Sequence, residues 1–214
     1  MKTNFINFDS WKYLLLLIAF SLLLTFAIPY LFLTNNLYYQ SFGEQLSADR
    51  ISQLIDLSQK WQWVGYLLIP LIVLVRISFT ALSLYIGFYI SEHPVPFRKL
   101  FKIALLADFV FVVSGIVKLL ILIFFKDVST LTDLQFQPFS VMQLFDKSAV
   151  EPYLIYPLSV ISVFELLYWI VLARLLAYIL DRPLVKSFKT VAASYGTGLL
   201  LWVLVGMFLT LNLT

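Results

Sequence analysis

An all-α, polytopic bundle of five transmembrane helices is the fold this sequence predicts, and three observations carry the prediction. Hydrophobic residues make up 61% of the 214-residue chain and charged residues 13%, against roughly 45–50% and 25% in a soluble domain. Five apolar runs are each long enough, at ~1.5 Å per residue, to cross a hydrocarbon core ~30 Å thick. The basic residues gather in short clusters beside those runs, as they do in the cytoplasmic loops of membrane proteins. A mean hydropathy of +0.92 leaves too little polar sequence for a separate soluble domain, so residues 1–214 are read as one integral membrane domain.

The first span is predicted over residues 13–33, YLLLLIAFSLLLTFAIPYLFL. A signal-peptide core is ~7–15 residues and ends at small residues, whereas this run is longer and ends in Tyr30, Leu31, Phe32 and Leu33. It is therefore read as an uncleaved helix. In the polar stretch that follows, Leu46, Ile51, Leu54, Ile55 and Leu57 fall near helical spacing behind Ser47, a good N-cap residue. This predicts an amphipathic helix over 45–60 lying on the membrane surface. Trp61, Trp63 and Tyr66 mark an interface, and the second span runs over 61–90, with Pro70 as a kink and Arg76 near its middle.

A short loop with Arg98, Lys99 and Lys102 leads into the third span, 101–125, which carries Asp108 and Lys118. A second polar loop, 127–151, contains a stretch at 138–145 suited to a brief helix. The fourth span, 154–180, carries Glu165 near its middle and Arg174 about two turns later, and the fifth covers 191–211. Five spans put the termini on opposite sides. Eight Lys and Arg (Lys2, Lys12, Arg98, Lys99, Lys102, Arg182, Lys186 and Lys189) lie on the N-terminal side, against four (Arg50, Lys60, Lys126 and Lys147) on the other. That bias places the N-terminus in the cytoplasm and the C-terminus outside. No internal repeat of the kind that builds many secondary transporters is visible.

Five ionisable residues fall inside the predicted spans: Arg76, Asp108, Lys118, Glu165 and Arg174. A charge at the centre of a bilayer costs ~2.5–3.5 kcal/mol on insertion scales, so these side chains should face protein, water or one another. Counted from the basic loops, Asp108 is level with Arg174 and Lys118 with Glu165, which predicts two charge pairs between antiparallel third and fourth spans. At ~100° per residue the two pairs do not share one narrow seam, and Arg76 is an alternative partner for either acid. Three bases against two acids leave one positive charge over, for a phosphate headgroup, an anionic substrate or water. Fixing helix association is the preferred role for these charges, ahead of lining a ligand or ion path and ahead of reaching for the interface.

Arg76, Thr80, Ser83 and Gly87 share one helix face. Such a stripe can line a pathway, but Ser, Thr and Gly also permit close helix packing, the preferred reading. Ala192 with Gly196 and Ser194 with Gly198 form overlapping small-xxx-small pairs that predict a close helix contact, within the chain or between copies, with the internal contact preferred. His93 is the only His and the chain has no Cys, so disulfides, a conventional zinc site and a Cys nucleophile are excluded. No phosphate-binding loop, G-x-S-x-G elbow or H-E-x-x-H is present. No catalytic residue, metal or cofactor is expected. The net charge of +3 reflects the basic clusters beside the spans, not a nucleic-acid surface.

The C-terminal half, LSVISVFELLYWIVLARLLAYIL followed by a short basic turn and TVAASYGTGLLLWVLVGMFL, resembles the Yip family of small membrane proteins, first known as interactors of Ypt/Rab GTPases and having many bacterial relatives. The resemblance covers roughly 101–211 and rests on hydropathy, span count and the style of the fourth span. It implies a five-helix bundle with a cytoplasmic N-terminus. Eukaryotic members carry a long N-terminal region and a D-L-Y-G-P motif that this sequence lacks, so GTPase binding is not carried over. The function expected is that of a non-enzymatic membrane protein acting through contacts with membrane lipids, other membrane proteins or a second copy. The alternative is a small transporter or channel for an anionic solute or lipid using Arg76. A bacterial inner membrane is the expected location.

Overall fold

A computed structural model describes residues 9–91, 94–146 and 149–213; His93, Lys2 and Lys147 lie outside the described residues. The described residues are mainly helical, with no strand among them, and include five helical segments long and apolar enough to cross a membrane. These are Ser10–Phe32, Ala48–Ile90, Phe97–Phe124, Val163–Leu180 and Leu184–Asn212. In order, the helices are α1 (Ser10–Phe32), α2 (Asn35–Phe42), α3 (Ala48–Ile90), α4 (Phe97–Ala107), α5 (Phe109–Phe124), α6 (Pro152–Val160), α7 (Val163–Leu180), α8 (Leu184–Val191) and α9 (Thr197–Leu213).

The core is a seam of apolar residues at spacings of three and four. Ile77, Ala81, Leu84 and Phe88 of α3 meet Leu100, Ala104 and Ala107 of α4 and Tyr168, Leu172 and Leu176 of α7, all essentially inaccessible. That repeat keeps one stripe of each helix facing its neighbour. By contrast α1 is peripheral, buried chiefly at Leu17 and Leu24. Leu24 packs on Gly115, where an added Cβ would lie 2.8 Å from its Cδ1.

Three expectations are corrected. The amphipathic stretch 45–60 is not a separate surface helix, because α3 runs unbroken for 43 residues from Ala48 through Pro70 to Ile90. At ~1.5 Å per residue it is ~65 Å long, about twice a ~30 Å hydrocarbon core, so its first turns project beyond the span. There they are held by α2, where the Tyr38 hydroxyl donates to Ser58 Oγ at 2.8 Å. The third span begins earlier than 101, at Phe97, and its helix is interrupted at the single residue Asp108.

The fourth span, 154–180, is two helices. α6 ends at Val160, Ile161 turns extended (φ −70°, ψ 95°), and Ser162 restarts the chain as the N-cap of α7, its Oγ accepting from the Glu165 N–H at 3.1 Å. Glu165 therefore sits in the first turn of α7 and not midway along a span. Backbone groups exposed by the break find partners in the preceding loop. The Val141 N–H donates to Ile161 O at 2.8 Å and the Val163 N–H to Phe139 O at 3.1 Å, forming an antiparallel bridge between Ser140 and Ser162. Phe139 adopts φ 54° to make that turn. Finally, α8 and α9 are joined by a π-helical stretch, Ala192–Gly196.

At the end of α5, the Asp133 carboxylate accepts from the Thr130 N–H (2.9 Å) and Oγ1 (2.8 Å) and pairs with Lys126 at 3.1 Å. Partial burial works to raise its pKa, but these hydrogen bonds override it and hold the group at about 2 against an ordinary 3.8. A depressed acid stabilises the loop fully above its unfolded pKa and loses that contribution as pH falls through the folded one. Amide exchange at Ser129 and Thr130 is therefore expected to accelerate as pH drops from 3.8 towards about 2. The Asp133→Asn variant should lack that step.

Candidate functional site

Arg76 on α3 meets Asp108 at the α4–α5 joint. Nε donates to Oδ1 at 2.8 Å and Nη2 to Oδ2 at 2.5 Å, a bidentate pair. Asp108 is wholly buried, while 37% of the Arg76 side chain remains exposed. The guanidinium lies 4.6 Å from the centroid of the Phe111 ring. Pairing along the Nε–Nη2 edge leaves Nη1 for other acceptors.

Glu165 on α7 is not ion-paired with any base among the described residues. Its Oε1 accepts from Trp169 Nε1, one turn along the same helix, and from the Tyr195 hydroxyl, each at 2.9 Å. Tyr195 comes from the π-helical stretch and packs edge-on to Tyr168 and Trp169. Both donors reach the same oxygen, so Oε2 has no protein donor among the described residues.

Between Arg76 and Glu165 lies a cavity of about 490 Å³, within the ~300–1,000 Å³ typical of small-molecule sites. Its polar wall carries Arg76, Thr80, Glu165 and Tyr195, with Ser159, Ser162 and Gln137 from the region of the helix break. The remainder is apolar and aromatic, including Phe79, Tyr156 and Trp202. Leu71, Ile72 and Val75 at the rim are 56%, 53% and 49% exposed on the outer face of α3. The cavity is therefore bordered by exposed apolar side chains of a segment apolar enough to cross a membrane. Arg76 precedes the end of α3 by 14 residues and Glu165 the end of α7 by 15, so both lie ~21–22 Å from the basic end of the bundle.

Of the five intramembrane charges, the structure joins Arg76 and Asp108 and brings Glu165 to the same chamber. The pairs Asp108 with Arg174 and Lys118 with Glu165 do not form. Asp108 faces α3, and the helix break puts Glu165 beside Tyr195. Lys118 instead lies 5.7 Å from the Phe136 ring centroid, and Lys126 lies 4.7 Å from it. Arg174 is exposed, about two turns from the basic end of α7, where a long side chain can reach the interface.

The polar stripe divides. Thr80 is buried and accepts from the Tyr168 hydroxyl at 2.9 Å. Ser83 and Gly87 pack against the fifth span, where Gly198 abuts Ser83 Oγ and Gly87 abuts Ser194. Gly196 faces Trp169 instead, and Ala192 is half-buried at the start of the π-helical stretch.

Tyr195, Trp169, Tyr156, Trp202 and the break at Ser162 were not among the residues singled out from sequence. Two of these had a legible signal: Trp169 lies four residues after Glu165, and Ser162-Val-Phe-Glu165 has the spacing of a helix-start capping motif. Among the described residues no cluster of His, Cys, Asp and Glu could hold a metal ion. A scan against protein-family models finds no match to the chain, and searches of curated proteins and of solved structures find none either.

Breaking a buried ion pair leaves its partner stranded, at about 3–5 kcal/mol. Arg76→Met is expected to destabilise the detergent-solubilised protein by that order in denaturant unfolding, with Arg76→Met/Asp108→Leu recovering most of the loss. A change below about 1 kcal/mol for the single variant, the size of a surface pair, would contradict a structural role for the pair.

Proposed function

We propose that this is a non-enzymatic, Yip-like multi-pass membrane protein that acts by holding an amphiphile with an anionic head group in the Arg76 chamber. The observation that carries the reading is that Arg76, with about a third of its side chain exposed, lines a largely apolar cavity whose wall includes the half-exposed Leu71, Ile72 and Val75. A group that only fixes helix association would be expected to be packed dry. Arg76 lines the cavity and its Nη1 has no acceptor among the described residues, and phosphate is a natural acceptor for it. The exposed apolar border favours a ligand that arrives from the bilayer with its chains still in lipid, whether the protein moves it or simply retains it. The clustering of Lys and Arg in the loops at 98–102 and 182–189 supports a cytoplasmic N-terminus, and a bacterial inner membrane is the setting proposed.

Contact with other membrane proteins is a second reading, favoured by one observation. At the basic end Trp11, Lys12, Arg98 and Lys102 surround a concave patch, with Trp11 67% exposed. Neutralising Arg98, Lys99 and Arg182 should weaken that association and leave the fold intact.

The chain has no Cys, so Ser159→Cys reports on the chamber directly. A small water-soluble maleimide is expected to label it, and dodecyl phosphate is expected to slow that labelling severalfold. The protection should disappear in Ser159→Cys/Arg76→Gln. Labelling indifferent to dodecyl phosphate, or protection that survives Arg76→Gln, would reject the reading.

A further inference from the structure

We infer that the head group taken by this chamber is zwitterionic, with a phosphate on Arg76 and an ammonium on Glu165, as in an aminophospholipid. The inference rests on the chamber being a lipid site and adds what the lipid must carry. The first argument is charge. Arg76 and Asp108 are formally neutral together, and Glu165 adds one carboxylate whose hydrogen-bond donors among the described residues are the neutral groups of Trp169 and Tyr195. A head group with phosphate alone would bring a second negative charge into a largely apolar chamber. A zwitterion leaves the formal charge unchanged and puts opposite charges together, as low-dielectric surroundings demand.

The second argument is geometry. Arg76 and Glu165 stand on different helices and line one cavity without forming an ion pair across it, so a dipolar group fits between them. Arg76 offers Nη1 and Glu165 offers Oε2, the two atoms that protein partners leave unused among the described residues.

The third argument is the aromatic lining. Tyr195, Tyr156 and Trp202 line the cavity, and Tyr195 does so in contact with Glu165. Tyr195 is fixed by its bond to Glu165, and Trp202 Nε1 donates to the Tyr156 hydroxyl at 2.8 Å. Aromatic rings lining a cavity that also holds a carboxylate favour an ammonium through cation–π attraction. A phosphate has no use for them.

The test is native mass spectrometry of the full chain in detergent, given equimolar phosphatidylethanolamine and its N-acetyl derivative with identical acyl chains. The derivative keeps the phosphate and loses the ammonium. Wild-type protein is expected to retain phosphatidylethanolamine over the derivative by about tenfold or more, the scale of one hydrogen bond to a charged group. Glu165→Gln, which keeps an oxygen for Trp169 and Tyr195, should bring the ratio close to one while still binding both lipids. Arg76→Gln/Asp108→Asn should lose both.

Equal retention of the two lipids by wild type, with loss of both in the Arg76 double variant, would overturn the ammonium and leave the lipid chamber standing. Binding of both lipids that the double variant does not alter would overturn the chamber itself. Displacement of the lipid by millimolar glycerophosphoethanolamine would reassign the site to a soluble zwitterion. The comparison on wild-type protein alone decides the ammonium if Glu165→Gln fails to fold.

Discussion

A carboxylate taken wholly out of solvent within a bundle that lipid surrounds needs a compensating charge, and Asp108 has one in Arg76. The rest of the site depends on that pair. The acid sits where α4 gives way to α5, and the Phe111 N–H reaches back to Asp108 O at 3.0 Å in a tightened turn. The base sits on α3, which packs along α4 and, through Thr80 and Tyr168, ties to α7. One bidentate contact thus fixes the mutual rotation of the second and third spans. Arg76 is held to Asp108 by one edge and makes no ion pair with Glu165, and both line the same cavity.

The second constraint is that backbone N–H and C=O groups in a membrane must find protein partners. A helix broken at Ile161 and Ser162 violates this unless something replaces the lost bonds. Two devices do so. The Ser162 hydroxyl caps the new helix start, and the loop residues Phe139 and Val141 dock on either side of the break through two backbone hydrogen bonds. The break then has a use. It ends one helix and begins another at the level of the chamber, bringing the first turn of α7 and the last turn of α6 to its wall. Irregular backbone at membrane depth is tolerated where it lines a cavity, and this break lines one.

What was legible in the sequence follows from this division. Span number, helical class and the intramembrane charges come from composition and run length, which depend on each residue's own transfer energy. Arg76 could be recognised as a partner for an acid, but the choice between acids could not be made, because it depends on how α3 and α4 are rotated against each other. The pairing of Lys118 with Glu165 failed for a local reason. Counting residues along 154–180 assumed one helix, while Ser162-Val-Phe-Glu165 carried the start signal of another within an apolar run that outweighed it. The surface helix at 45–60 failed for a different reason. Its amphipathic spacing is real, but nothing between Lys60 and Trp61 stops a helix, so the same helix continues into the span. Tyr195 had no signal in the sequence, since its approach to Glu165 depends on the local twist of a π-helical stretch.

The chamber's position has a physical origin in side-chain size along the seam between α3 and the fifth span. From the basic end outward the facing pairs are Gly87 with Ser194, Ser83 with Gly198, and Phe79 with Trp202, the last with ring centroids 5.5 Å apart. The first two pairs bring the helices together as closely as small side chains allow. The third places two large aromatic groups where the same separation would not admit them, so the helices diverge from that level. Beyond it α6 occupies the widening gap, with Tyr156 seated against Gly206 and Trp202. What α6 does not fill, between Val75, Arg76 and Glu165, is the cavity. The small residues that read as simple packing positions are thus half of the device that makes the site: they close the seam at one end so that the aromatic pair can open it at the other.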